Sequence, residues 1–162
     1  MPSTIFGLPV HPLLVHATVV FVPLAAVLVL LAVVVPRFRS WAGPLPAAVS
    51  LVALVLTPLS TASGENLEHD LPGSELIEEH AELGEQLLVF TIALFVVAVA
   101  FWWLTRRTGS GDGVASTRPR ALVVGVGVLA VLAALGTGVQ VGRIGHSGAK
   151  ASWSDVGSSA DR

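Results

Sequence analysis

Four long apolar stretches, separated by short polar segments, dominate the pattern of the chain. Uncharged runs cover residues 13–35, 45–63, 87–105 and 121–142, and each is apolar all round rather than along one helical stripe. At ~1.5 Å per residue, a helix of this length reaches across a hydrocarbon core of ~30 Å. Surface helices of soluble proteins instead carry one apolar face and one polar face. The pattern therefore predicts four membrane-spanning helices.

The short connections between these stretches predict an all-α fold, an integral membrane four-helix bundle with antiparallel up-down-up-down order. Residues 1–153 are predicted to form one four-span membrane domain. The predicted spans lie at about residues 13–35, 45–63, 80–105 and 121–143. Ser74, which precedes a run of glutamates, is a suitable helix N-cap, so the third helix is expected to start in water. Residues 154–162 are rich in Ser, Gly and Asp, which predicts a disordered tail.

Composition and charge support the membrane interpretation and orient the bundle. Charged residues make up only 12% of the chain, against about 25% in soluble domains. The segment 64–86 contains eight acidic residues and no Lys or Arg. Arginines instead occupy the two other loops: Arg37, Arg39, Arg106, Arg107, Arg118 and Arg120. The positive-inside rule then predicts cytoplasmic arginine loops, with both termini and the acidic loop outside.

Several classes of function are disfavoured because the sequence lacks the residues or motifs that they need. The chain has no cysteine, which excludes disulfides, Cys-ligated iron–sulfur clusters and covalently attached c-type haem. A nucleophile elbow and a phosphate-binding loop are both absent, so the sequence does not favour an enzyme. A net charge of −2 gives no support for nucleic-acid binding. The expected partner is the lipid bilayer.

The histidines are the strongest candidates for chemistry, because all of them fall at the predicted outer ends of the spans. They are His11, His16, His69, His80 and His146. Imidazole is the commonest metal ligand in proteins. His16 and His80 are expected at or within lipid depth, where an unpartnered polar side chain is costly. His69 lies in a charged loop and is interpreted as a solvated surface residue.

Three hypotheses follow for the histidines. The first is a haem b bound between His16 and His80, with His146 and His11 as second choices and Glu65 orienting a ring. The second is a Zn or Cu site on the outer face. Its metal ligands would be His16, His80, His146 and Glu65. The third is a structural or pH-sensing membrane subunit with no cofactor, in which the rings only form hydrogen bonds, for example to Ser63 or Glu65, or contact a partner protein.

Glycines near the histidines fit either a cofactor or helix packing. Gly84 follows His80 by four residues and so shares its helical face. Gly138 and Gly142 match the small-x-x-x-small pattern, which favours close helix–helix packing.

The motifs around the histidines resemble a known family. They are His-Pro-Leu-Leu-Val-His at 11–16, Ser-Gly-Glu at 63–65, His-Ala-Glu-Leu-Gly at 80–84 and Gly-His-Ser-Gly-Ala-Lys-Ala-Ser-Trp at 145–153. Over residues 7–153 the chain looks like domain of unknown function family 2231, predicted four-helix membrane proteins of bacteria. That family is similar in layout to two-haem membrane b-type cytochromes.

The resemblance implies a haem-linked electron-transfer role in the bacterial cytoplasmic membrane, beside membrane or extracytoplasmic redox proteins. The family histidines it implies are His11, His16, His80 and His146. The chain departs from the two-haem layout, because the inner half of the predicted bundle has no histidine. One subunit therefore does not offer ligands for two haems stacked across the membrane, and a single haem at the outer face is expected.

Overall fold

The computed structural model describes residues 4–5, 8–68, 74–106 and 120–159. Within these ranges the chain forms five helices: α1 (Val10–Val34), α2 (Pro36–Ala42), α3 (Leu45–Glu68), α4 (Glu75–Thr105) and α5 (Arg120–Ser159). Two strands of two residues each, β1 (Thr4–Ile5) and β2 (Leu8–Pro9), pair antiparallel just before α1.

Four of the helices, α1, α3, α4 and α5, are long and apolar enough to cross a membrane. The prediction of an all-α membrane protein with four spans is therefore confirmed. Helix α2 is a short addition between the first two spans. Gly43 ends it with a positive φ of 54°, a backbone conformation that glycine adopts without steric cost.

The helices are longer than the predicted spans. Helix α1 begins at Val10, α3 continues to Glu68, and α5 is helical to Ser159, within the stretch where the composition predicts disorder. The predicted cap of α4 is confirmed, since Ser74 Oγ accepts a hydrogen bond from the Leu76 amide at 3.3 Å. Hydropathy marks only the part of a helix that lies in lipid, whereas caps and breaking residues set its ends.

Small side chains fill the interior of the bundle and large apolar ones cover its outside. Ala25, Ala53, Ala130 and Ala134 are at most 1% exposed. Many leucines and valines point outward on all four long helices, such as Val20 at 60%. A soluble protein would show the opposite distribution. This arrangement suits lipid, which solvates Leu and Val, while small residues let the helix backbones approach closely.

Buried polar side chains are satisfied inside the bundle. The hydroxyls of Ser50, Thr57 and Thr137 donate to carbonyls four residues earlier in their own helices, at 2.7–2.9 Å. Gln140 instead links two helices, because its Nε2 donates to the Leu83 carbonyl of α4 at 2.9 Å. Water is absent from the hydrocarbon core, so polar groups there must find partners within the protein.

The two ends of the bundle differ in chemistry. At the histidine end, defined by His11, Ser63, His80 and Ser147, the beginnings of α1 and α4 contact the ends of α3 and α5. The arginine end is defined by Arg37, Arg39, Arg106 and Arg120. There the Phe101 ring of α4 lies against the start of α5, 3.4 Å from where a Cβ on Gly127 would stand.

Candidate functional site

A cavity of about 540 Å³ opens at the histidine end, and all four long helices contribute to its walls. Its size falls within the roughly 300–1,000 Å³ typical of cofactor and ligand sites. Apolar side chains form much of the wall, including Val15 of α1, Leu87 of α4 and Ile144 of α5. Three of the predicted site residues, His11, Glu65 and His80, also line it.

His11 is held by a serine on the neighbouring helix. Its Nδ1 lies 3.0 Å from Ser63 Oγ of α3. The Ser63 hydroxyl also donates to the Ser60 carbonyl of its own helix at 2.8 Å. Since a hydroxyl has only one hydrogen, both bonds form together only if the imidazole donates from Nδ1. The network therefore selects the tautomer of His11 with a proton on Nδ1 and a lone pair on Nε2.

His80 repeats this arrangement on the other pair of helices. Its Nδ1 lies 3.0 Å from Ser147 Oγ of α5, and that hydroxyl donates to the Ile144 carbonyl at 3.0 Å. Both serine bonds use Nδ1, which leaves Nε2 of each ring outside these bonds.

A glycine follows each of these serines and makes room for the ring. A Cβ on Gly64 would stand 3.1 Å from His11 Cε1, and a Cβ on Gly148 only 2.9 Å from His80 Cε1. Real Cβ atoms essentially never approach a neighbour within 3.0 Å, so a side chain at Gly148 would displace the imidazole. One histidine, one serine and one glycine thus recur as a unit in α1/α3 and in α4/α5.

The structure leaves the other two family histidines outside the cavity. His16 is exposed, and its Nδ1 bonds to the Pro12 carbonyl of its own helix. His146 is exposed near the end of α5. Of the histidines predicted as site residues, the structure therefore brings His11 and His80 to the cavity wall. Five residues turn an ideal helix by about 140°, so His11 and His16 cannot face the same wall. His69 lies outside the described residues.

Glu65 lines the cavity but does not orient a histidine. Its side chain is exposed and makes no hydrogen bond to either ring; the serines fill that role. The four predicted Zn or Cu ligands do not lie together, because only His80 and Glu65 of them line the cavity. Among the residues that the structure describes, no three His, Cys, Asp or Glu side chains lie close enough together to hold a metal ion.

The glycines divide between the cavity and the outer surface. Gly84 lines the cavity one turn from His80, as its spacing predicts. A Cβ added to Gly138 or Gly142 would have no neighbouring atom within 4 Å. Close packing of this pair against another helix of the same chain, which the small-x-x-x-small pattern favours, is therefore wrong.

Ser147 is the site residue that the sequence leaves unassigned, and Ser63 is expected only as a partner of other histidines. The sequence does contain a signal for both serines, since a Ser-Gly pair ends the second span at 63–64 and recurs in α5 at 147–148. Ser63 is expected from the sequence as a partner of His16 or His80, and it bonds His11 instead.

Comparison with known proteins agrees with the four-span fold. A family model described as "Predicted membrane protein (DUF2231)" matches residues 7–160. Neither a search of curated proteins nor a search of solved structures gave a match. Because the family model covers nearly the whole chain, including both histidine–serine–glycine units, the protein belongs to the DUF2231 family of predicted membrane proteins.

Proposed function

We propose that this protein is a redox-associated membrane subunit that binds one haem b at the histidine end. Nε2 of His11 and Nε2 of His80 would hold the haem iron. The observation that carries the proposal is the pair of imidazoles on different helices that line one cavity, each with Nδ1 bonded to a serine. A metal-ligating histidine characteristically donates its other ring N–H in this way.

The residues of the cavity fit such a group. The volume of about 540 Å³ is large enough for a cofactor, and the walls are mainly apolar. Two nitrogen ligands suffice for a haem, whereas a mononuclear Zn site needs at least three protein ligands. When bound, the haem would supply the exchange of single electrons.

The side chains of the protein have separate tasks at this site. Ser63 and Ser147 keep the imidazoles in the tautomer that leaves Nε2 unprotonated. Gly64 and Gly148 let the rings approach the helix backbones closely. The apolar wall excludes water, which lowers the local dielectric and thereby influences a redox potential.

The position of the cavity favours electron exchange at one membrane surface. Every histidine whose side chain is described lies at the histidine end. The arginine end offers no second pair of imidazole ligands among the described residues. The subunit would therefore exchange electrons with a membrane or extracytoplasmic redox protein on the same side, which the positive-inside rule predicts to be the outside.

An absorption spectrum tests this proposal directly. The protein would be expressed with ample haem, purified in detergent and reduced with dithionite. We expect a Soret band and the sharp visible bands of a low-spin haem with two histidine ligands. His11→Ala and His80→Ala should each abolish that spectrum, since each removes one ligand.

His16→Ala and His146→Ala are the matched controls, because both rings are exposed and outside the cavity. They should leave the spectrum unchanged. A wild-type protein without a Soret band contradicts the proposal, and zinc or copper near one atom per chain in elemental analysis would replace it with a metal site. Loss of the spectrum in His16→Ala with retention in His11→Ala would show that the ligands were assigned wrongly.

A further inference from the structure

Among the described residues, the arginine end carries positive side chains and no acidic ones. Arg37, Arg39, Arg106 and Arg120 lie there. All acidic side chains that the structure describes belong to the histidine end: Glu65, Glu75, Glu78, Glu79, Glu82 and Glu85. A guanidinium at a membrane boundary can reach water, and anionic lipid headgroups attract it there.

Arg39 is the best placed of these cations. It is half-buried on α2, with its guanidinium carbon 5.4 Å from the centre of the Phe101 ring. One N–H donates to the Ala32 carbonyl at 3.5 Å, the outer limit of a hydrogen bond. The guanidinium lines a narrow crevice between α1, α2, α3 and α4, and Trp102 and Thr105 form part of its wall. The bond to the Ala32 carbonyl uses one of the five N–H donors of the guanidinium.

Arg106, at the end of α4, stacks on the neighbouring tryptophans of that helix. Its guanidinium carbon lies 3.2 Å from the centre of the Trp103 ring and 5.5 Å from that of Trp102. Trp102 therefore lies near Arg106 and also lines the crevice of Arg39. Stacking on a ring leaves the edge of a guanidinium free, and that edge matches the oxygens of a phosphate.

The surroundings of the two arginines are apolar and face outward. Trp41 is 76% exposed, and Val35 and Leu45 beside α2 are also exposed. Tryptophan at such a position typically lies at the headgroup level of a bilayer. An anion that suits this site therefore has a phosphate at the arginines and acyl chains along the neighbouring helices.

We propose that Arg39 and Arg106 form a binding site for the phosphate headgroup of an anionic phospholipid. Basic pockets between membrane helices are known to accept such headgroups. The site is independent of the cavity at the other end of the bundle and would exist with or without a cofactor there.

Lipid-dependent stabilisation tests the site. The purified protein in uncharged detergent would be heated with phosphatidylglycerol or with phosphatidylcholine of the same acyl chains, and bound lipid would be counted by native mass spectrometry. We expect phosphatidylglycerol to raise the Tm by several degrees more and to remain bound. The double variant Arg39→Gln/Arg106→Gln should lose this preference, whereas Arg143→Gln at the histidine end should keep it.

A further variant and two further comparisons separate a lipid site from a phosphate site and from no site at all. Arg39→Lys keeps the charge but loses the planar fork, and should reduce the preference by at least half; it also covers the case in which the double variant does not fold. Equal stabilisation by phosphatidylcholine, or a preference that survives in the double variant, overturns the site. If inorganic phosphate alone stabilises the protein equally, the lipid proposal is contradicted, and the two arginines bind free phosphate instead.

Discussion

At the scale of single residues, the chemistry of the site depends on two hydroxyl groups. Each of Ser63 and Ser147 donates to a carbonyl three residues earlier and accepts from a histidine on another helix. A buried serine is ordinary in a membrane helix, since it can bond its own backbone. Here the same bond also decides which nitrogen of the imidazole carries the proton.

Removal of either hydroxyl should weaken cofactor binding. Ser63→Ala or Ser147→Ala leaves Nδ1 of the ring without its acceptor, and loss of such a partner typically costs 10–100-fold in metal affinity. Haem titration of the apoprotein, followed at the Soret band, measures the effect. Ser40→Ala is the control, because Ser40 makes a similar bond to the Arg37 carbonyl at the arginine end. Unchanged affinity in both cavity variants would show that the serines do not position the rings.

A methyl group at Gly148 should disturb the site sterically. The new Cβ would stand 2.9 Å from His80 Cε1, and overpacking of this kind typically costs about 1–3 kcal/mol. We expect Gly148→Ala to lower the Tm and to weaken the low-spin haem spectrum. Gly142→Ala is matched to it, since nothing lies within 4 Å of that position; alanine there should be neutral or stabilise by about 0.5–1 kcal/mol. Equal behaviour of the two variants would contradict the close approach.

At the scale of elements, one side chain connects α4 and α5 within the membrane. Gln140 is 1% exposed and donates to the Leu83 carbonyl, while Arg143 donates to its Oε1 at 3.2 Å. The bond lies next to the cavity, whose walls include Leu87 and Val141. It therefore holds the two helices that carry His80 and Ser147 in register.

Replacement of Gln140 by leucine should loosen that register. An interhelical hydrogen bond in a membrane protein contributes about 0.6 kcal/mol on average and up to about 1.7 kcal/mol. We expect Gln140→Leu to destabilise the protein by an amount in this range, measured by unfolding in a mixed detergent series. Val139→Leu, at a neighbouring position that is 66% exposed, should have no effect. A stability equal to that of the wild type would mean that packing alone sets the register.

At the scale of the whole molecule, the charged side chains are distributed unequally between the two ends of the bundle. The described acids and histidines lie at one end, and most of the described cations lie at the other. Helices α4 and α5, with 31 and 40 residues, are ~46 Å and ~60 Å long. Both exceed a hydrocarbon core of ~30 Å. The histidine end therefore reaches the boundary between lipid and water.

Cysteine labelling tests the predicted orientation of this polarity. The chain has no cysteine, so a single introduced thiol reports one position. We expect Glu79→Cys to react with a membrane-impermeant maleimide in intact cells. Ser40→Cys, exposed on α2, should react only after permeabilisation. The reverse pattern would place the histidine end in the cytoplasm.

The sequence predicts more of the fold than of the site. Four spans and the Ser74 cap are visible in single stretches of chain, whereas the choice between His11 and His16 depends on which face of α1 meets α3. Of the two ring partners that the sequence predicts, Ser63 bonds a ring and Glu65 does not. Glu65 is the stronger acceptor, yet its exposed side chain does not reach a ring, and Ser63 is correctly placed.

The sequence alone determined the class of the protein, because lipid requires about 20 consecutive apolar residues for each crossing and such runs can be read directly. It also determined the separation of acids from arginines. The tertiary structure decided which histidines share a cavity and which serines hold them. Those hydrogen bonds join residues that are 52 and 67 positions apart, and contacts over such separations follow from helix packing rather than from any local pattern.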